Sequence, residues 1–275
     1  MVISGGATHY GDTVNCADGF DCVRNLVWLD FVGVNFGRYG DSGHWFEHGF
    51  CGYYCGAFEM IISKGRRYIF VHIPKTGGTA MALALEARAK ADDIMIGDTP
   101  KAIKRRSRVK NVKTAGRLWK HSTLADAEGL ITRADMADLF TFTLVRNPWD
   151  RMVSYYYWLQ TQTFSHPVVT LAKSTTFTGF INTQQTAAAL RANPYSSYMT
   201  DGAGKVHADL YVRLEHLAED MEPLAKHLGF NLDMPIANQS ARPRDWRGCY
   251  SDADAELVAK LCARDIAAHG YEFAR

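Results

Sequence analysis

A short glycine-containing segment, Pro74–Thr79 (PKTGGT), has the residue types of an anion-binding turn. Its two glycines permit positive φ angles and let an anion approach the backbone closely. Consecutive amide groups in such a turn attract phosphate-like groups when a helix begins directly after it. The segment differs from the nucleotide-triphosphate loop G-x-x-x-x-G-K-[ST], because here the lysine precedes the glycine pair. This segment, called the 74–79 loop below, predicts an anion site.

A second segment, Arg146–Tyr156 (RNPWDRMVSYY), combines an arginine with a hydroxyl that follows it at helical spacing. Ser154 lies eight residues after Arg146, about two turns into the predicted helix. Both side chains could therefore bind one phosphate, the arginine through two N–H groups. In the alternative interpretation, Arg146 pairs with Asp150 and caps the helix.

Both segments follow short apolar runs that are typical of buried strands, at 68–73 and 140–145, and a third such run lies at 209–214. Helices are predicted over 79–88, 149–160, 215–228 and 252–269, with weaker helical periodicity over 122–139. Strands that alternate with helices predict an α/β fold. We expect a P-loop-like, three-layer fold with a central, mostly parallel sheet flanked by helices. Ligands bind at the carboxyl ends of parallel strands, where both segments begin.

Together, the two segments resemble the motifs of sulfotransferases that use 3′-phosphoadenosine-5′-phosphosulfate (PAPS). They are most similar to the carbohydrate-type family, which includes heparan-sulfate 2-O-sulfotransferase-like enzymes and bacterial relatives. The resemblance extends from about Arg67 to Phe273. It implies PAPS as co-substrate, no metal, and transfer of a sulfuryl group to a hydroxyl of a carbohydrate or glycolipid. The implied donor-binding residues are Lys75, Thr76, Gly77, Gly78 and Thr79 at the 5′-phosphosulfate, Arg146 and Ser154 at the 3′-phosphate, and Ser240 and Arg242 in a later segment.

The resemblance also implies two catalytic residues. Lys75 is expected to stabilise negative charge that develops on the leaving group. His121 lies between the two motifs, where the similar enzymes carry a general base, and such a base contributes ~10²–10⁴-fold to the rate. The alternative for His121 is an exposed side chain without a role. His72, at the end of the first strand, is the competing candidate and is expected to be a structural histidine beneath the loop.

Other functions are less consistent with these residues. A small-molecule kinase needs acidic magnesium ligands, but the second strand ends in Arg146. A nucleotide-binding protein without activity would not need Lys75 or His121. The stretch 101–120 contains nine basic residues. Each of them taken singly is interpreted as part of a solvated helix and loop, whereas the cluster is interpreted as a rim that attracts an anionic donor or acceptor. The stretch does not indicate nucleic-acid binding, because Trp119 is its only aromatic residue.

Residues 1–59 differ in composition from the rest of the chain. They contain eleven glycines, no lysine, and a net charge of −5, whereas the remainder has a net charge of +7. We therefore expect an N-terminal extension over 1–59 and a sulfotransferase domain over 60–275, with Met60 as the native start; the alternative is a genuine N-terminal subdomain. Four of the six cysteines lie in 1–59, in spacings that fit no zinc template well.

The sequence contains no apolar run near the ~20 residues that a membrane-spanning helix needs. It also has no pattern of a secretory signal at its N-terminus. These features predict a cytoplasmic protein with reduced thiols. The oligomeric state is not predicted by any of these patterns.

Overall fold

The computed structural model describes residues 59–235, 237 and 241–273. Its strands are β1 (Glu59–Ser63), β2 (Tyr68–Val71), β3 (Ile94–Gly97), β4 (Phe140–Val145) and β5 (Leu210–Arg213). They form one sheet in the order β3-β1-β2-β4-β5. β2, β4 and β5 are parallel, whereas β1 is antiparallel to both β2 and β3. The predicted α/β fold is confirmed, and its parallel strands carry both motifs.

Helices cover both faces of this sheet. They are α1 (Gly78–Ala87), α2 (Pro100–Arg105), α3 (Arg133–Asp138), α4 (Pro148–Gln160), α5 (Pro167–Ser174), α6 (Phe177–Ile181), α7 (Gln184–Ala192), α8 (Tyr195–Tyr198), α9 (Leu217–Asp220), α10 (Glu222–Leu228), α11 (Asp252–Leu261) and α12 (Ala263–His269). Short 3-10 turns lie at Lys64–Arg66, Arg106–Arg108, Leu214–His216 and Arg247–Cys249.

Successive residues of the central strands enter two separate cores. In β2, Ile69 and Val71 pack into one core with α4 and α11, whereas Tyr68 and Phe70 pack into the other with α1. Side chains of a strand point alternately to opposite faces, so a strand that is apolar throughout must be covered on both sides. The continuous apolar runs in the sequence therefore have a structural cause, which is burial between two layers of helices.

The elements that carry the motifs lie close to their predicted positions. β2 and α1 begin and end within two residues of the predicted bounds, β4 matches its predicted range, and α4 begins at Pro148. Proline suits the first turn of a helix, since its missing N–H would have no partner there. Asn147 precedes it as the cap and accepts from the amide of Trp149 at 3.1 Å.

Several other predicted elements are wrong in extent. The helix predicted over 215–228 is divided into a 3-10 turn, α9 and α10, and Pro223 lies in the first turn of α10. A proline that lacks its amide hydrogen cannot continue a preceding helix without losing a bond. The helix predicted over 252–269 is interrupted at Cys262, and 122–139 contains only the short α3.

The two antiparallel strands were not predicted. β1 contains Met60, which is fully buried, and Glu59 pairs with Gly97 of β3. Residues 1–58 lie outside the described residues, so the division of the chain at Met60 stays a prediction. No helix within the described residues is long and apolar enough to cross a membrane.

Candidate functional site

The 74–79 loop connects β2 to α1 and turns through two residues with positive φ, Lys75 at +66° and Gly77 at +88°. This region is free for glycine but costs energy for a residue with a Cβ, and such residues cluster at functional sites. The Thr76 hydroxyl supports the turn by donating to the carbonyl of Ile73 at 2.8 Å. Across the part of the chain that the structure describes, no carbonyl accepts from the amides of 75–77. These amides are available to an anion.

The two glycines of the loop are required by side chains packed against them. A Cβ on Gly78 would lie 2.1 Å from Cδ2 of His72, and a Cβ on Gly77 would lie 2.8 Å from Cδ1 of Leu214. Real Cβ atoms do not approach other atoms this closely, because the repulsion exceeds any packing gain. The glycines thus permit both the turn and the close packing of the loop against His72 and Leu214.

Two arginines of the second motif bond the carbonyls of the loop. Arg151 donates from Nε to the carbonyl of Pro74 at 2.9 Å, and Arg146 donates from Nη1 to the carbonyl of Lys75 at 3.3 Å. The strands β2 and β4 are neighbours in parallel, so the residues after them lie side by side. The two segments found in the sequence therefore form one site.

Asp150 joins two guanidinium groups at this site. Its Oδ2 accepts from Nε and Nη2 of Arg146 at 2.8 and 2.7 Å, and its Oδ1 accepts from Nη1 of Arg242 at 2.6 Å. The alternative interpretation of Arg146, a pair with Asp150, thus describes a contact that exists. This pair belongs to a larger cluster, in which one carboxylate faces two guanidiniums and Lys75 adds a third cation.

Burial and the nearby positive charges change the pKa of Lys75. Burial, followed by the charges of Arg146 and Arg242, lowers the pKa of the Lys75 ammonium from 10.5 to about 7. Like charges disfavour each other in a site of low dielectric constant, and a bound anion would relieve this repulsion. The cluster therefore contains more cationic than anionic side chains, and this excess charge would favour an anionic ligand.

The remaining predicted donor-binding residues are Thr79, Ser154 and Ser240. Thr79 is buried in the first turn of α1, and Ser154 is buried in α4 one turn after Asp150. Residues four apart lie on the same helix face, so Ser154 shares the face of Asp150. A bond from Ser154 to a phosphate stays a prediction, and Ser240 lies outside the described residues.

His121 is buried beside His72 at the end of β2. Nδ1 of His121 lies 3.0 Å from the carbonyl oxygen of His72, and the two imidazole rings meet edge to face with 4.8 Å between centroids. The indole of Trp119 contacts His121 from another side at 5.2 Å. The alternative interpretation of His121 as an exposed histidine is therefore wrong, since its side chain is 5% exposed.

The contact with the carbonyl determines which nitrogen of His121 can accept a proton. A carbonyl only accepts, so Nδ1 carries the hydrogen and Nε2 carries the lone pair. Burial, then the charges of His72 and Lys120, hold the pKa of His121 well below its usual 6.5. The ring is therefore neutral near pH 7 and able to accept a proton, and the same lowered pKa makes it a weaker base than an exposed histidine.

His72 has the features of a structural residue. Its ring lies directly against Gly78 and stacks on Phe70 at 6.2 Å. Burial and the charges of Lys120 and Lys75 lower the pKa of His72 to about 3. This histidine packs between the loop and the sheet, as its place in the strand predicts.

Three further residues contact the two motifs and hold them in place, a role that the sequence did not predict for them: Arg151, Tyr195 and Glu215. Arg151 is the second arginine of the motif, and its guanidinium lies 4.9 Å from the Tyr195 ring, whose hydroxyl donates to the carbonyl of Arg146 at 2.5 Å. Glu215 accepts from the amide of Asn147 at 2.7 Å. The motif spacing could have indicated Arg151; no local pattern marks Tyr195.

The basic stretch 101–120 is largely occupied by structural contacts. Lys101 donates to the carbonyl of Glu86, while Arg105 and Arg108 donate to that of Asp93. Arg106 and Lys120 both face Asp98, each at 3.7 Å. These contacts join the side chains to other parts of the fold, and the interpretation of the whole stretch as a rim stays a prediction. Among the described residues, no group of three or more His, Cys, Asp or Glu side chains could hold a metal ion.

Comparisons with known proteins give one family. The model described as "Sulfotransferase family" matches residues 58–254. A search of curated proteins finds no match. Among solved structures, mouse sulfotransferase SULT7A1 complexed with PAP is similar at 13% identity and a TM-score of 0.45, over 74% of this chain and 84% of the mouse chain.

Proposed function

This chain belongs to the sulfotransferase family and is a PAPS-dependent sulfotransferase, and we propose that it sulfates a hydroxyl of a carbohydrate or glycolipid with His121 as general base. PAPS carries a 5′-phosphosulfate and a separate 3′-phosphate, so its site needs positive charge at two places. The observation that carries the proposal is the joined pair of motifs, with Lys75 in the loop and Arg146 bonded to the loop's own backbone.

The residues present fit such a donor. The 74–79 loop offers amides and a tight glycine turn to the 5′ group, and Gly78 lies at the start of α1, where the helix dipole favours an anion. Arg146 and Arg242 offer guanidinium groups for the 3′-phosphate, with Ser154 on the same side of α4 as Asp150. Arg146 and Arg242, which add to the effect of burial in lowering the pKa of Lys75, supply positive charge that supports this assignment.

Sulfuryl transfer occurs by in-line displacement at sulfur: a bond forms from the acceptor oxygen, the bond to the bridging oxygen breaks, and adenosine 3′,5′-bisphosphate leaves. His121 takes the acceptor proton at Nε2, and its Nδ1–H stays bonded to the carbonyl of His72. Lys75, when protonated, stabilises the charge that grows on the bridging oxygen. Thr76 and Arg151 hold the loop in shape while this charge moves.

The proposed carbohydrate or glycolipid acceptor rests on the motif resemblance and on aromatic side chains near the loop. Tyr157 and Trp158 are half-buried, whereas Tyr155 and Tyr156 are buried in the helix packing. Aromatic faces suit the apolar faces of sugars. An acceptor screen with labelled PAPS checks this proposal: turnover confined to non-carbohydrate hydroxyls would contradict it.

Thermal shift experiments test donor binding. We expect adenosine 3′,5′-bisphosphate without magnesium to raise Tm by several degrees at 100 times its Kd, since such binding contributes about 2.7 kcal/mol. Arg146→Gln should remove most of this shift. Arg191→Gln, at an exposed arginine of α7 outside both motifs and the basic stretch, is the matched control and should keep it. A larger shift with ATP and magnesium would contradict the donor assignment.

A further inference from the structure

The ammonium group of Lys75 lies over the indole of Trp158, with Nζ 5.2 Å from the ring centroid. Within the part of the chain that the structure describes, no carboxylate or carbonyl oxygen bonds this ammonium. A cation above the face of an indole is attracted by the negative face of the ring. Among the described residues, the indole is therefore the group that the ammonium of Lys75 contacts.

Neighbouring aromatic side chains hold Trp158 in place. Its ring stacks on Tyr155 with 6.0 Å between centroids and 20° between planes, and Phe164 contacts it at 6.2 Å. The carbonyl of Trp158 accepts from Nε2 of Gln162 at 2.9 Å, close to the end of α4. The indole thus has a defined position beside the loop.

Lys75 is consequently held at both ends. Its backbone has a positive φ of +66°, and its carbonyl accepts from Arg146. Its ammonium lies on the indole. A lysine side chain has many rotamers in solution, and fixing them when a ligand binds costs entropy. A side chain that is already held loses less entropy on binding.

We propose that Trp158 is a positioning residue for sulfuryl transfer, whose indole holds the Lys75 ammonium at the loop before the donor binds. This inference rests on the proposed function, in which Lys75 contacts the donor. Trp158 is one of four consecutive aromatic residues, 155–158, and the proposal gives its side chain a role beyond helix packing.

Other charged and titratable groups surround Lys75. They are Arg146, which follows β4, Asp150 and Arg151 from the beginning of α4, Arg242 from the segment before α11, and His72 after the end of β2. Burial and the charges of Arg146 and Arg242 lower the pKa of Lys75 to about 7. The indole favours the charged form, so its loss should lower this pKa further. A bound anion acts in the opposite direction and raises the pKa.

Competitive labelling of lysine amines tests the inference without turnover. The protein is acetylated between pH 5 and 10, and peptide mass spectrometry gives the titration midpoint of Lys75. We expect Trp158→Leu to lower this midpoint by about 0.4 to 1.5 pH units, the range that cation–π energies allow. Trp158→Phe retains an aromatic face and should stay closer to the wild type. An unchanged midpoint in Trp158→Leu would overturn the proposal.

Tyr157→Leu is the matched control, because it removes the adjacent half-buried ring of the same helix. Its Lys75 midpoint should equal that of the wild type. If Tyr157→Leu lowers the midpoint as much as Trp158→Leu does, the effect comes from helix packing and the proposal fails. Circular dichroism of each variant verifies that α4 is intact, and Trp158→Phe supplies the test if Trp158→Leu does not fold.

Calorimetric titration with adenosine 3′,5′-bisphosphate at pH 6 and pH 8.5 gives a second test. At pH 8.5 binding must protonate Lys75, so Trp158→Leu should bind about 2 to 30 times more weakly than the wild type there. The phosphates of the nucleotide also titrate at about pH 6, but this affects the wild type and the variant alike. The loss of affinity in Trp158→Leu should be smaller at pH 6. Equal losses of affinity at both pH values would contradict the proposal that the indole of Trp158 stabilises the charged form of Lys75. If the wild type does not bind this nucleotide, the donor assignment fails, while the labelling result still decides the contact.

Discussion

Asp150 is the residue that organises the cations of the site before any ligand is bound. Alone, Arg146 and Arg242 would repel each other, but the carboxylate accepts from both. Charge-assisted bonds of this kind are stronger than neutral ones and fix the guanidinium planes. Donor groups that are already oriented bind an anion with less ordering cost. The pair between Arg146 and Asp150 is thus compatible with phosphate binding by Arg146.

For His121, we expect replacement by glutamine to lower kcat by ~10²–10⁴-fold, the usual contribution of a general base. Glutamine keeps a donor for the His72 carbonyl but accepts no proton. The affinity for adenosine 3′,5′-bisphosphate should stay within about twofold of the wild type. Initial rates with labelled PAPS measure the effect.

The pH profile gives a second check on His121. Because burial lowers its pKa below 6.5, the neutral form persists into mildly acidic solution, and the acidic fall in activity should begin below that pH. His216→Gln, at a half-exposed histidine, is the control and should leave the profile unchanged. Full turnover in His121→Gln would move the base to another group.

At the scale of elements, three parallel strands end together and so bring distant segments into one place. Val71 of β2 pairs with Thr143 of β4, and Val145 of β4 pairs with Arg213 of β5. The residues that follow these strands are the 74–79 loop, Arg146 and Leu214. Side chains of the third segment then contact the other two, Leu214 at Gly77 and Glu215 at the amide of Asn147.

The substitution Gly78→Ala tests how closely the 74–79 loop must pack against the sheet. Because Gly78 is helical, Gly78→Ala introduces no backbone strain, and its cost comes from the contact with His72. Overpacking of this kind costs about 1–3 kcal/mol, and a displaced loop can lose about 10²-fold in turnover. Urea unfolding and initial rates measure both effects.

Gly248→Ala is the matched control for Gly78→Ala, since an added Cβ there meets no atom within 4 Å. Its free energy of unfolding should change by no more than about 0.5 kcal/mol. Equal stability and turnover in the two alanine variants would mean that His72 yields to the methyl group without moving the loop.

At the scale of the whole molecule, helices behind the sheet support the site from a distance. Asp265 of α12 accepts from the amide of Tyr195 at 2.8 Å, and the Tyr195 hydroxyl donates to the carbonyl of Arg146. Tyr195 also lies against the guanidinium of Arg151. Residues near the end of the chain therefore determine how firmly the arginines of the second motif are held.

Asp265 should make stability depend on pH. Burial raises its pKa from 3.8 to about 6, against the opposing Tyr195 bond and Arg151 charge. The folded state then binds more protons than the unfolded state between these values, so the Asp265 contribution weakens as pH rises from about 4 to 6. An asparagine side chain does not titrate, so the free energy of unfolding of Asp265→Asn should rise relative to that of the wild type between pH 4 and 6. The expected rise is on the order of 3 kcal/mol or less.

Urea unfolding at pH 4, 5, 6 and 7 measures this difference. Asp233→Asn, at an exposed carboxylate, is the control, and its stability should stay parallel to that of the wild type. Parallel curves for Asp265→Asn as well would show that the Asp265 carboxyl keeps the same protonation state when folded and unfolded.

The sequence by itself determined the features that depend on neighbours along the chain. The strand, glycine turn and helix at 68–88, and the Arg146 segment before a proline-initiated helix, follow from short continuous apolar runs and turn chemistry. These local rules were sufficient for the α/β fold, whereas the family was indicated by the resemblance of two motifs to those of sulfotransferases. The local rules were not sufficient for β1 and β3, because a short edge strand such as Ile94–Gly97 is stabilised mainly by its pairing with β1.

Only the tertiary structure decided which side chains meet. The bond between Asp150 and Arg242 joins residues 92 positions apart, and that between Nδ1 of His121 and the His72 carbonyl joins residues 49 apart. No pattern within one element specifies such pairs, since they depend on which strand ends lie together and on how the packed helices orient their side chains. The pKa values that these contacts and the surrounding burial impose on Lys75 and His121 are for the same reason properties of the folded chain.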